Sequence, residues 1–243
     1  MPTPQAREHY NEGAIMAQGK KYKDAARSYD REGMHSVADA VSVLSGFPKR
    51  KYDETVDLAV RLGVDPRKAE EMIRSTVSLP AGTGKAVRVA VFAQGDAAQA
   101  ARDAGAEFVG AEDLAEQVEG GMLDFDVTIA SPDMMPLVGK LGRVLGPRSL
   151  MPNPKTGTVT PDVAKAVEEF KGGKVEFRTD KFANVHVPVG KVSFDADDLI
   201  KNIDSVIEEL NRLKPAGAKG QYMKKASISS TMGPSIKLDV GQL

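Results

Sequence analysis

Three cations stand beside an aromatic ring in the segment Pro48-Lys-Arg-Lys-Tyr52. Lysine and arginine side chains can hold phosphate groups, and a tyrosine ring can stack on a base or a ribose. The alternative is a solvated loop whose tyrosine lies at the margin of the core. The segment alone supports both interpretations equally, and RNA is the ligand class that its chemistry suggests.

The segment Ser227-Ile-Ser-Ser-Thr-Met-Gly-Pro234 places hydroxyl side chains directly before a turn. Hydroxyl groups can bind the 2′-hydroxyl groups of RNA, and a glycine allows a sugar-phosphate backbone to approach the main chain closely. An ordinary polar edge strand followed by a turn explains the same residues, and turn chemistry by itself favours it. The segment gains weight as an RNA contact only together with others.

Patterns typical of nucleotide-binding enzymes are incomplete in this chain. Gly82-Thr-Gly-Lys85 resembles the end of a phosphate-binding loop, but Leu79 and Ala86 occupy positions that require Gly and Ser or Thr. The segment Phe92-Ala-Gln-Gly-Asp96 has one glycine where a dinucleotide-binding fingerprint has three. An α/β scaffold without a nucleotide is therefore favoured for this region.

Metal and acid-base chemistry is equally poorly supported. The chain has no cysteine and only three histidines, which are scattered, so thiol nucleophiles, zinc clusters and the usual general bases are lacking. Asp124 and Asp126 precede a strand, but no partner acid is identifiable, and solvated or capping roles are favoured. We predict no catalytic residues, no metal and no cofactor.

Length and composition indicate a globular protein with two modest domains. The chain has 243 residues, of which 41% are hydrophobic and 28% charged. No apolar run approaches the roughly 18 residues of a membrane span, and the N-terminus lacks the apolar segment of a secretory signal. We therefore expect a cytoplasmic protein with no membrane partner.

The charges are unevenly distributed along the chain. Residues 1–82 carry 13 basic and 12 acidic side chains, residues 174–243 carry 11 and 9, and residues 83–173 carry 9 and 13. The two ends together stand at +3 and the middle at −4, which adds to the net charge of −1. This asymmetry suggests that the ends form one body and the middle another.

The periodicity of apolar residues supports that division. At the N-terminal end, the first 46 residues have helical spacing and are followed by a strand over residues 52–60, a short charged helix and a strand over residues 75–79. The middle predicts strands at 87–92, 108–109 and 125–130 that alternate with helices at 97–104 and 111–118, and a further helix at 161–170. This βαβαβ order indicates a small parallel sheet.

The C-terminal end predicts a pair of strands at 174–178 and 184–189, a long helix at 195–214 capped by Asp195, and strands at 224–231 and 235–240. Linkers rich in proline or glycine, at 79–85 and 171–174, bracket the middle. We therefore predict a discontinuous α+β domain from residues 1–82 and 174–243 and an inserted α/β domain from residues 83–173. Two connecting segments would act as a hinge.

Four stretches, in this order along the chain, resemble the signature motifs of the L-one family of large-subunit ribosomal proteins. They are Lys51-Tyr-Asp-Glu-Thr-Val-Asp-Leu-Ala-Val-Arg-Leu-Gly-Val-Asp-Pro-Arg67, Val87-Arg-Val-Ala-Val-Phe92, Leu145-Gly-Pro-Arg-Ser-Leu-Met-Pro-Asn-Pro-Lys155 and Ile228-Ser-Ser-Thr-Met-Gly-Pro234. The resemblance runs from about residue 51 to residue 240, and the first 46 residues match poorly. Motifs of this length in this order are highly specific.

The resemblance implies a ferredoxin-like or RRM-like split α+β domain that carries the main RNA site, and a Rossmann-like, three-layer α/β insert. It implies binding to the stalk helices of large-subunit rRNA, help in releasing deacylated tRNA from the exit site, and translational repression of the family's own operon mRNA. It also implies a monomer when free. By motif, it places RNA contacts on Lys51, Tyr52, Glu54, Thr55, Asp57, Arg178, Lys181, Ser229, Thr231, Met232 and Gly233.

Some positions depart from the family pattern. Tyr52 replaces Phe and Ala81 replaces His, while Ser75, Ser149 and Ala183 replace glycines. If Ser149 or Ala183 adopts a positive φ, each carries a strain of roughly 1 kcal/mol or more. The near-neutral charge suggests that RNA binding depends more on shape than on counterion release.

Two other functions remain open at this point. One is an enzyme built on the α/β insert, with a mobile second domain that closes over a substrate. The absence of a convergent catalytic residue set argues against it. The other is a relative of ribosomal proteins that works as a regulator away from the ribosome, which the divergent N-terminus and the acidic middle leave possible.

Overall fold

A computed structural model describes residues 19–68, 70–215, 217–218 and 220–242. The part of the helical prediction that falls on residues 1–18 lies outside these ranges. Within the described residues, no helix is both long and apolar enough to cross a membrane.

The helices are α1 (Lys20–Arg27), α2 (Val37–Ser45), α3 (Gly95–Asp103), α4 (Glu112–Glu119), α5 (Met135–Lys140), α6 (Gly142–Leu145), α7 (Val163–Lys171) and α8 (Ala196–Arg212). The strands are β1 (Thr55–Leu62), β2 (Arg74–Ser78), β3 (Val89–Phe92), β4 (Phe108–Gly110), β5 (Val127–Ala130), β6 (Lys174–Arg178), β7 (Asn184–Lys191), β8 (Met223–Ser230) and β9 (Ile236–Leu238).

Strand β1 joins the two ends of the chain. It lies between β7 and β8 in a four-stranded antiparallel sheet with the order β7-β1-β8-β9. Its residues alternate as the sequence predicts, because Val56, Leu58, Val60 and Leu62 are buried while the residues between them are more exposed. The buried face packs against α2 and α8, so the N-terminal and C-terminal segments share one hydrophobic core.

Helix α8 confirms the predicted apolar stripe and corrects its predicted cap. Leu199, Ile203, Val206 and Leu210 are at most 1% exposed. Asp195 occupies the N-cap position, but its side chain accepts no hydrogen bond from the helix, so the side-chain cap was wrong. Acidic residues in the first turn still suit the positive end of the helix dipole.

The predicted pairing of residues 174–178 with residues 184–189 is wrong. Strand β6 pairs with β2 in a two-stranded antiparallel sheet, with Arg74 opposite Arg178 and Ser78 opposite Lys174. Strand β7 instead pairs with β1 over a longer register, from Thr55 opposite Lys191 to Arg61 opposite Asn184. The alternating burial of β7 in the shared core fits it to the sheet of β1, and nearness in sequence to β6 does not decide which strands pair.

The short charged helix predicted between β1 and β2 is also wrong, since the described residues there form turns. The Glu71 carboxylate accepts a hydrogen bond from the Asp65 amide at 2.7 Å and pairs with Lys68 at 2.9 Å. These contacts close the segment into a loop. Pro66 is compatible with such a turn, in which its missing amide donor costs nothing.

The middle of the chain contains the predicted parallel sheet, with strand order β4-β3-β5. Ala90 and Phe92 of β3 pack on one side against α4, α5 and α6, and Val89 and Val91 pack on the other side against α3 and α7. The βαβαβ prediction is confirmed over these strands, and helices cover both faces of the sheet. Helices α5 and α6 were not predicted.

The two connecting segments meet beside the shared core. The Leu79 amide donates to the Gly173 carbonyl at 3.1 Å. Gly173 has a φ of +108°, and a Cβ there would lie 2.6 Å from the Cα of Gly82. The two segments are therefore packed main chain against main chain, and glycine is required at this crossing.

Asn202 of α8 attaches the first connecting segment to the shared core. Its side chain is 0% exposed, accepts from the Ala81 amide at 3.0 Å, and donates to the Gly82 carbonyl at 3.0 Å and the Val189 carbonyl at 2.7 Å. The amide group is thus fully used in holding main chain. The chain therefore leaves the shared core and returns to it at one place. The division into two domains at residues 82/83 and 173/174 stays a prediction.

Ser149 and Ala183, which stand where the family pattern has glycine, both have a positive φ, at 59° and 62°. Ser149 is exposed, so its side chain contributes little packing. We expect Ser149→Gly to raise the free energy of unfolding by up to about 1 kcal/mol, because removal of the Cβ relieves left-handed backbone strain that exceeds the entropy cost of glycine. Urea denaturation measures the change. Ser149→Ala keeps the Cβ and is the matched control; an equal effect of both variants would contradict the explanation.

Candidate nucleic-acid interface

The turn after β8 is tied to the beginning of β1. The Thr231 amide donates to the Thr55 carbonyl at 3.0 Å, and the Thr55 amide donates to Oγ1 of Thr231 at 3.1 Å. The Thr231 hydroxyl also donates to the Thr55 carbonyl at 3.2 Å. Two segments 176 residues apart in sequence are therefore joined. A hydroxyl oxygen can accept twice, so Thr231 keeps one acceptor position for a ligand.

Glu54 lies beneath this turn and is only 7% exposed. One carboxylate oxygen accepts from the Met232 amide at 3.2 Å, and the other pairs with Nε of Arg50 at 3.2 Å. Arg50 in turn donates from Nη2 to the Met232 carbonyl at 3.4 Å. Glu54 and Arg50 therefore fix the turn from below. Arg50 belongs to the cationic segment considered in the sequence analysis, but it is not among the contacts that the family resemblance implies; its spacing of four residues from Glu54 allows such a pair.

Large side chains project outward around the fixed turn. Tyr52 is 54% exposed and Met232 is 53% exposed, and Lys51 is exposed beside them. Gly233 lies so close to Ser230 that an added Cβ would collide with the Ser230 hydroxyl. The side chains predicted to make the aromatic and thioether contacts thus project from segments held together by the hydrogen bonds of Thr231 and Glu54.

A recess of about 340 Å³ is lined by the cationic segment and by residues beside the turn. Its walls include Lys21 of α1, whose ammonium group donates to the Lys49 carbonyl at 2.8 Å. Lys21 was not among the predicted site residues, because helical periodicity alone does not show what α1 packs against. The recess is lined by Lys21, Ala25, Leu44, Phe47, Pro48, Lys49, Arg50, Lys51, Tyr52, Asp53, Glu54, Val192, Ser193, Ser230 and Gly233.

Thr55, Asp57 and Ser229 lie on the face of the sheet that points away from the core. Asp57 is opposite Ser229 in the register of β1 and β8. Lys191 of β7 donates to Oγ1 of Thr55 at 3.0 Å, so a cation missed by motif comparison stands beside two predicted site residues. Burial raises the pKa of the Asp57 carboxyl above its usual value, although His186 and Lys191 act in the opposite direction.

Arg178 and Lys181 do not lie at the Thr231 turn. Arg178 borders a separate cavity together with Thr55 and Lys191. Lys181 lies just before the end of β7 at which Asn184 is opposite Arg61. Thr55, which is bonded to the turn, is six residues of extended strand away from Arg61, or about 20 Å.

Lys181 lies 5.3 Å from the centre of the Phe182 ring, which is 64% exposed. This aromatic ring was also missed, although an apolar residue between a lysine and an alanine in a polar loop was a usable signal. The structure thus brings together Lys51, Tyr52, Glu54, Thr55, Thr231, Met232 and Gly233, with Asp57 and Ser229 on the adjoining sheet face. RNA contact by these residues, and by Arg178 and Lys181, stays a prediction.

Comparison with known proteins identifies relatives over most of the chain. Residues 44–234 match the model of the Ribosomal protein L1p/L10e family. Three similar proteins are each named large ribosomal subunit protein uL1. That of Nocardioides sp. is 56% identical over 92% of this chain and 93% of its own length, that of Cutibacterium acnes 55% over 92% and 97%, and that of Beutenbergia cavernae 57% over 94% and 96%.

We expect Glu54→Ala to lower the free energy of unfolding by about 1–3 kcal/mol, because the Met232 amide and the Arg50 guanidinium lose a buried acceptor. Glu54→Gln keeps an acceptor oxygen and should lose less. Urea denaturation of both variants checks the order. Equal stability of Glu54→Ala and the unmodified chain would show that the carboxylate does not support the turn.

We expect Asp57→Asn to raise the free energy of unfolding at pH 7 by less than about 1 kcal/mol, since the half-buried carboxyl is partly screened by solvent. Because burial raises the folded-state pKa of Asp57, ionisation begins to oppose folding as the pH rises above the unfolded-state pKa, and the penalty is complete above the folded-state pKa. Below the usual pKa of 3.8, the carboxyl is protonated in both states and the gain should vanish. Urea denaturation at pH 3 and pH 7 tests this; a gain of equal size at both pH values would refute the titration argument.

Proposed function

The chain belongs to the Ribosomal protein L1p/L10e family, and on that premise we propose that it is a protein of the large ribosomal subunit that binds ribosomal RNA around the Thr231 turn. The observation that carries the proposal is the pair of buried supports under that turn. Glu54 and the Thr231 hydroxyl hold the main chain while Met232 stays exposed. A surface fixed before binding is suited to recognise folded RNA by shape.

The chemistry of the exposed groups supports the same ligand. Lysines on α1 and in residues 49–51 supply cations for phosphates, and Tyr52 supplies a ring for stacking. The free acceptor position of Thr231 and the hydroxyl of Ser229 suit the 2′-hydroxyl groups that distinguish RNA from DNA. These groups lie around one end of the sheet, although the chain as a whole has a net charge of −1. Local arrangement therefore outweighs total charge.

We further propose that residues 1–82 and 174–243 form the domain that holds RNA and that residues 83–173 form an inserted α/β domain. The separate hydrophobic clusters support this division, because one unites both chain ends and two belong to the middle. The middle carries a net charge of −4. Repulsion from phosphate would keep most of its surface away from RNA held by the ends.

The specific ligands follow from the family resemblance. We propose the stalk helices of large-subunit rRNA as the main site, and an operon mRNA with the same folded surface as a competing site through which the protein represses translation. The inserted domain would contact the exit-site tRNA and assist its release. The protein would be a monomer when free and would act in the cytoplasm, where ribosomes translate.

We propose no enzymatic activity, because the similar proteins are named as ribosomal proteins. A regulator that works away from the ribosome is the remaining alternative. Sedimentation of ribosomal subunits from growing cells distinguishes the two. The protein should migrate with the large-subunit peak, and its absence from that peak would refute the ribosomal assignment.

We expect Thr231→Val and Met232→Ala each to weaken binding to a stalk-helix RNA by roughly 1–3 kcal/mol. The first removes the hydroxyl that fixes the turn, and the second removes an exposed side chain without disturbing the bonds below it. Filter binding to the stalk fragment and to a scrambled duplex, each over a series of salt concentrations, measures the effect. The unmodified chain should prefer the stalk fragment by at least about a thousandfold at physiological salt.

Lys140→Ala in the middle of the chain is the matched control and should change stalk affinity little. Thermal unfolding should be measured for all three variants so that loss of structure is recognised. Unchanged affinity in both Thr231→Val and Met232→Ala, with the fold intact, would remove the turn from the RNA site. Equal, weak binding of the unmodified chain to both RNAs would refute the function itself.

A further inference from the structure

An exposed carboxylate follows the cationic segment of the candidate RNA site. Asp53 comes directly after Lys51 and Tyr52 and, unlike the buried Glu54 next to it, is open to solvent. A carboxylate at this position repels the phosphate groups of an RNA bound beside it. On charge alone, Asp53 should therefore weaken RNA binding at this segment. It is not among the contacts that the family resemblance implies.

Both oxygens of this carboxylate are bonded to one distant residue. The Ser193 amide donates to Oδ1 of Asp53 at 3.1 Å, and the Ser193 hydroxyl donates to Oδ2 at 2.7 Å. The two residues are 140 positions apart in the chain. Hydrogen bonds to an ionised acceptor are stronger than those between neutral groups. Asp53 therefore ties the cationic segment to the loop between β7 and α8.

The loop between β7 and α8 is itself fixed on the shared core. The Phe194 amide donates to the Lys191 carbonyl at 3.1 Å. The Phe194 ring packs against the shared core and lies beside Gly84 and Gly190, where an added Cβ would be 2.8 Å and 2.9 Å from ring atoms. A side chain packed this closely restrains its own main chain. Ser193, the residue before it, is thus a fixed anchor.

The strand pairing by itself ends before the residues that would contact RNA. The register of β1 with β7 ends at Thr55 opposite Lys191. The bonds between Asp53 and Ser193 continue the attachment of the same two segments by two residues on each side. Tyr52 comes next and is 54% exposed. Asp53 is therefore the attachment point adjacent to the exposed ring.

We propose that Asp53 is a positioning residue for RNA binding: through Ser193 it holds Tyr52 in the orientation in which the ring meets the RNA. The inference rests on the proposed RNA-binding function and adds to it a residue that acts through its neighbour. A side chain that is held before binding loses less conformational entropy when the RNA arrives. This gain opposes the repulsion between carboxylate and phosphate, so the two effects of Asp53 differ in sign.

Filter binding of the full chain to the stalk-helix RNA tests that sign. Asp53→Ala should weaken binding at least about fivefold, because the segment loses its hydrogen bonds to the anchor. A role through charge alone predicts the opposite, which is tighter binding. Equal or tighter binding by Asp53→Ala would therefore overturn the proposal.

Asp53→Asn is the conservative variant. Its side chain still accepts from the Ser193 amide and can donate to the Ser193 hydroxyl oxygen, while the negative charge is gone. It should bind the stalk RNA at least as tightly as the unmodified chain. A loss equal to that of Asp53→Ala would show that these bonds do not position the segment.

Asp195→Ala is the matched control. Asp195 is an exposed carboxylate in the same loop, and its side chain accepts no hydrogen bond from α8. The variant should bind the stalk RNA as tightly as the unmodified chain or slightly more tightly. A loss as large as that of Asp53→Ala would contradict a specific role for Asp53. Urea denaturation of each variant should show that the fold is retained.

Two double-mutant cycles separate positioning from a general effect on stability. Ser193→Ala should weaken binding, and the double variant with Asp53→Ala should bind no more weakly than Asp53→Ala alone, because both changes remove the same interaction. In a chain that carries Tyr52→Ala, Asp53→Ala should cause little further loss, since no ring remains to be positioned. Additive losses in either cycle would refute the positioning role.

The unmodified chain in the same assay tests the proposed function separately. If it prefers the stalk fragment to a scrambled duplex while Asp53→Ala binds undiminished, the RNA-binding function stands and the role of Asp53 is refuted. If the unmodified chain shows no such preference, the function is refuted, and the inference that rests on it is refuted as well.

Discussion

The structure depends on the hydrogen-bonding requirement of one buried strand. Strand β1 has neighbours on both sides, and its main-chain amides and carbonyls need partners because water is excluded. Both partners, β7 and β8, follow residue 183 in the chain. The segment between β1 and β7 leaves the core with residues 83–173 and then returns to it. It does so where the connecting segments cross at Leu79 and Gly173.

The candidate RNA site follows from the same strand pairing. The cationic segment enters β1 and the Thr231 turn leaves β8, so the antiparallel pairing of β1 with β8 places the two at one end of the sheet. Glu54 and the Thr231 hydroxyl then convert this proximity into a fixed geometry. The Glu54 carboxylate is used to hold the main chain, and the groups left for contact are the exposed tyrosine, methionine and lysines, the Ser229 hydroxyl and one acceptor position of Thr231.

Basic and acidic side chains are concentrated in different parts of the structure, and the net charge does not show this distribution. The net charge of −1 would suit few RNA-binding proteins if it were evenly spread. Cations collect instead around the turn and around the cavity beside Lys191, while carboxylates at both places are engaged by neighbouring cations or amides. The acidic excess lies in residues 83–173. Shape and fixed hydrogen-bonding groups are therefore expected to contribute more to RNA specificity than total charge.

The sequence by itself determined the features that depend on local periodicity and on long motifs. The alternation along β1, the apolar stripe of α8 and the βαβαβ order of the middle were predictable, because burial repeats every second residue in a strand and every three to four in a helix. The motifs likewise predicted the family. The suspected positive φ of Ser149 followed from a missing glycine.

Only the tertiary structure decided which segments meet. It paired β6 with β2, placed Glu54 beneath the turn, and separated Lys181 from Thr231. Helices α5 and α6 were hidden by Pro136, Gly139 and Gly142, whose low helix propensity is outweighed by packing against the sheet. The buried amide of Asn202, which holds the main chain at residues 81, 82 and 189, gave no signal in the sequence. Whether a polar atom has a partner depends on contacts between residues far apart in the chain, and a local pattern carries no information about them.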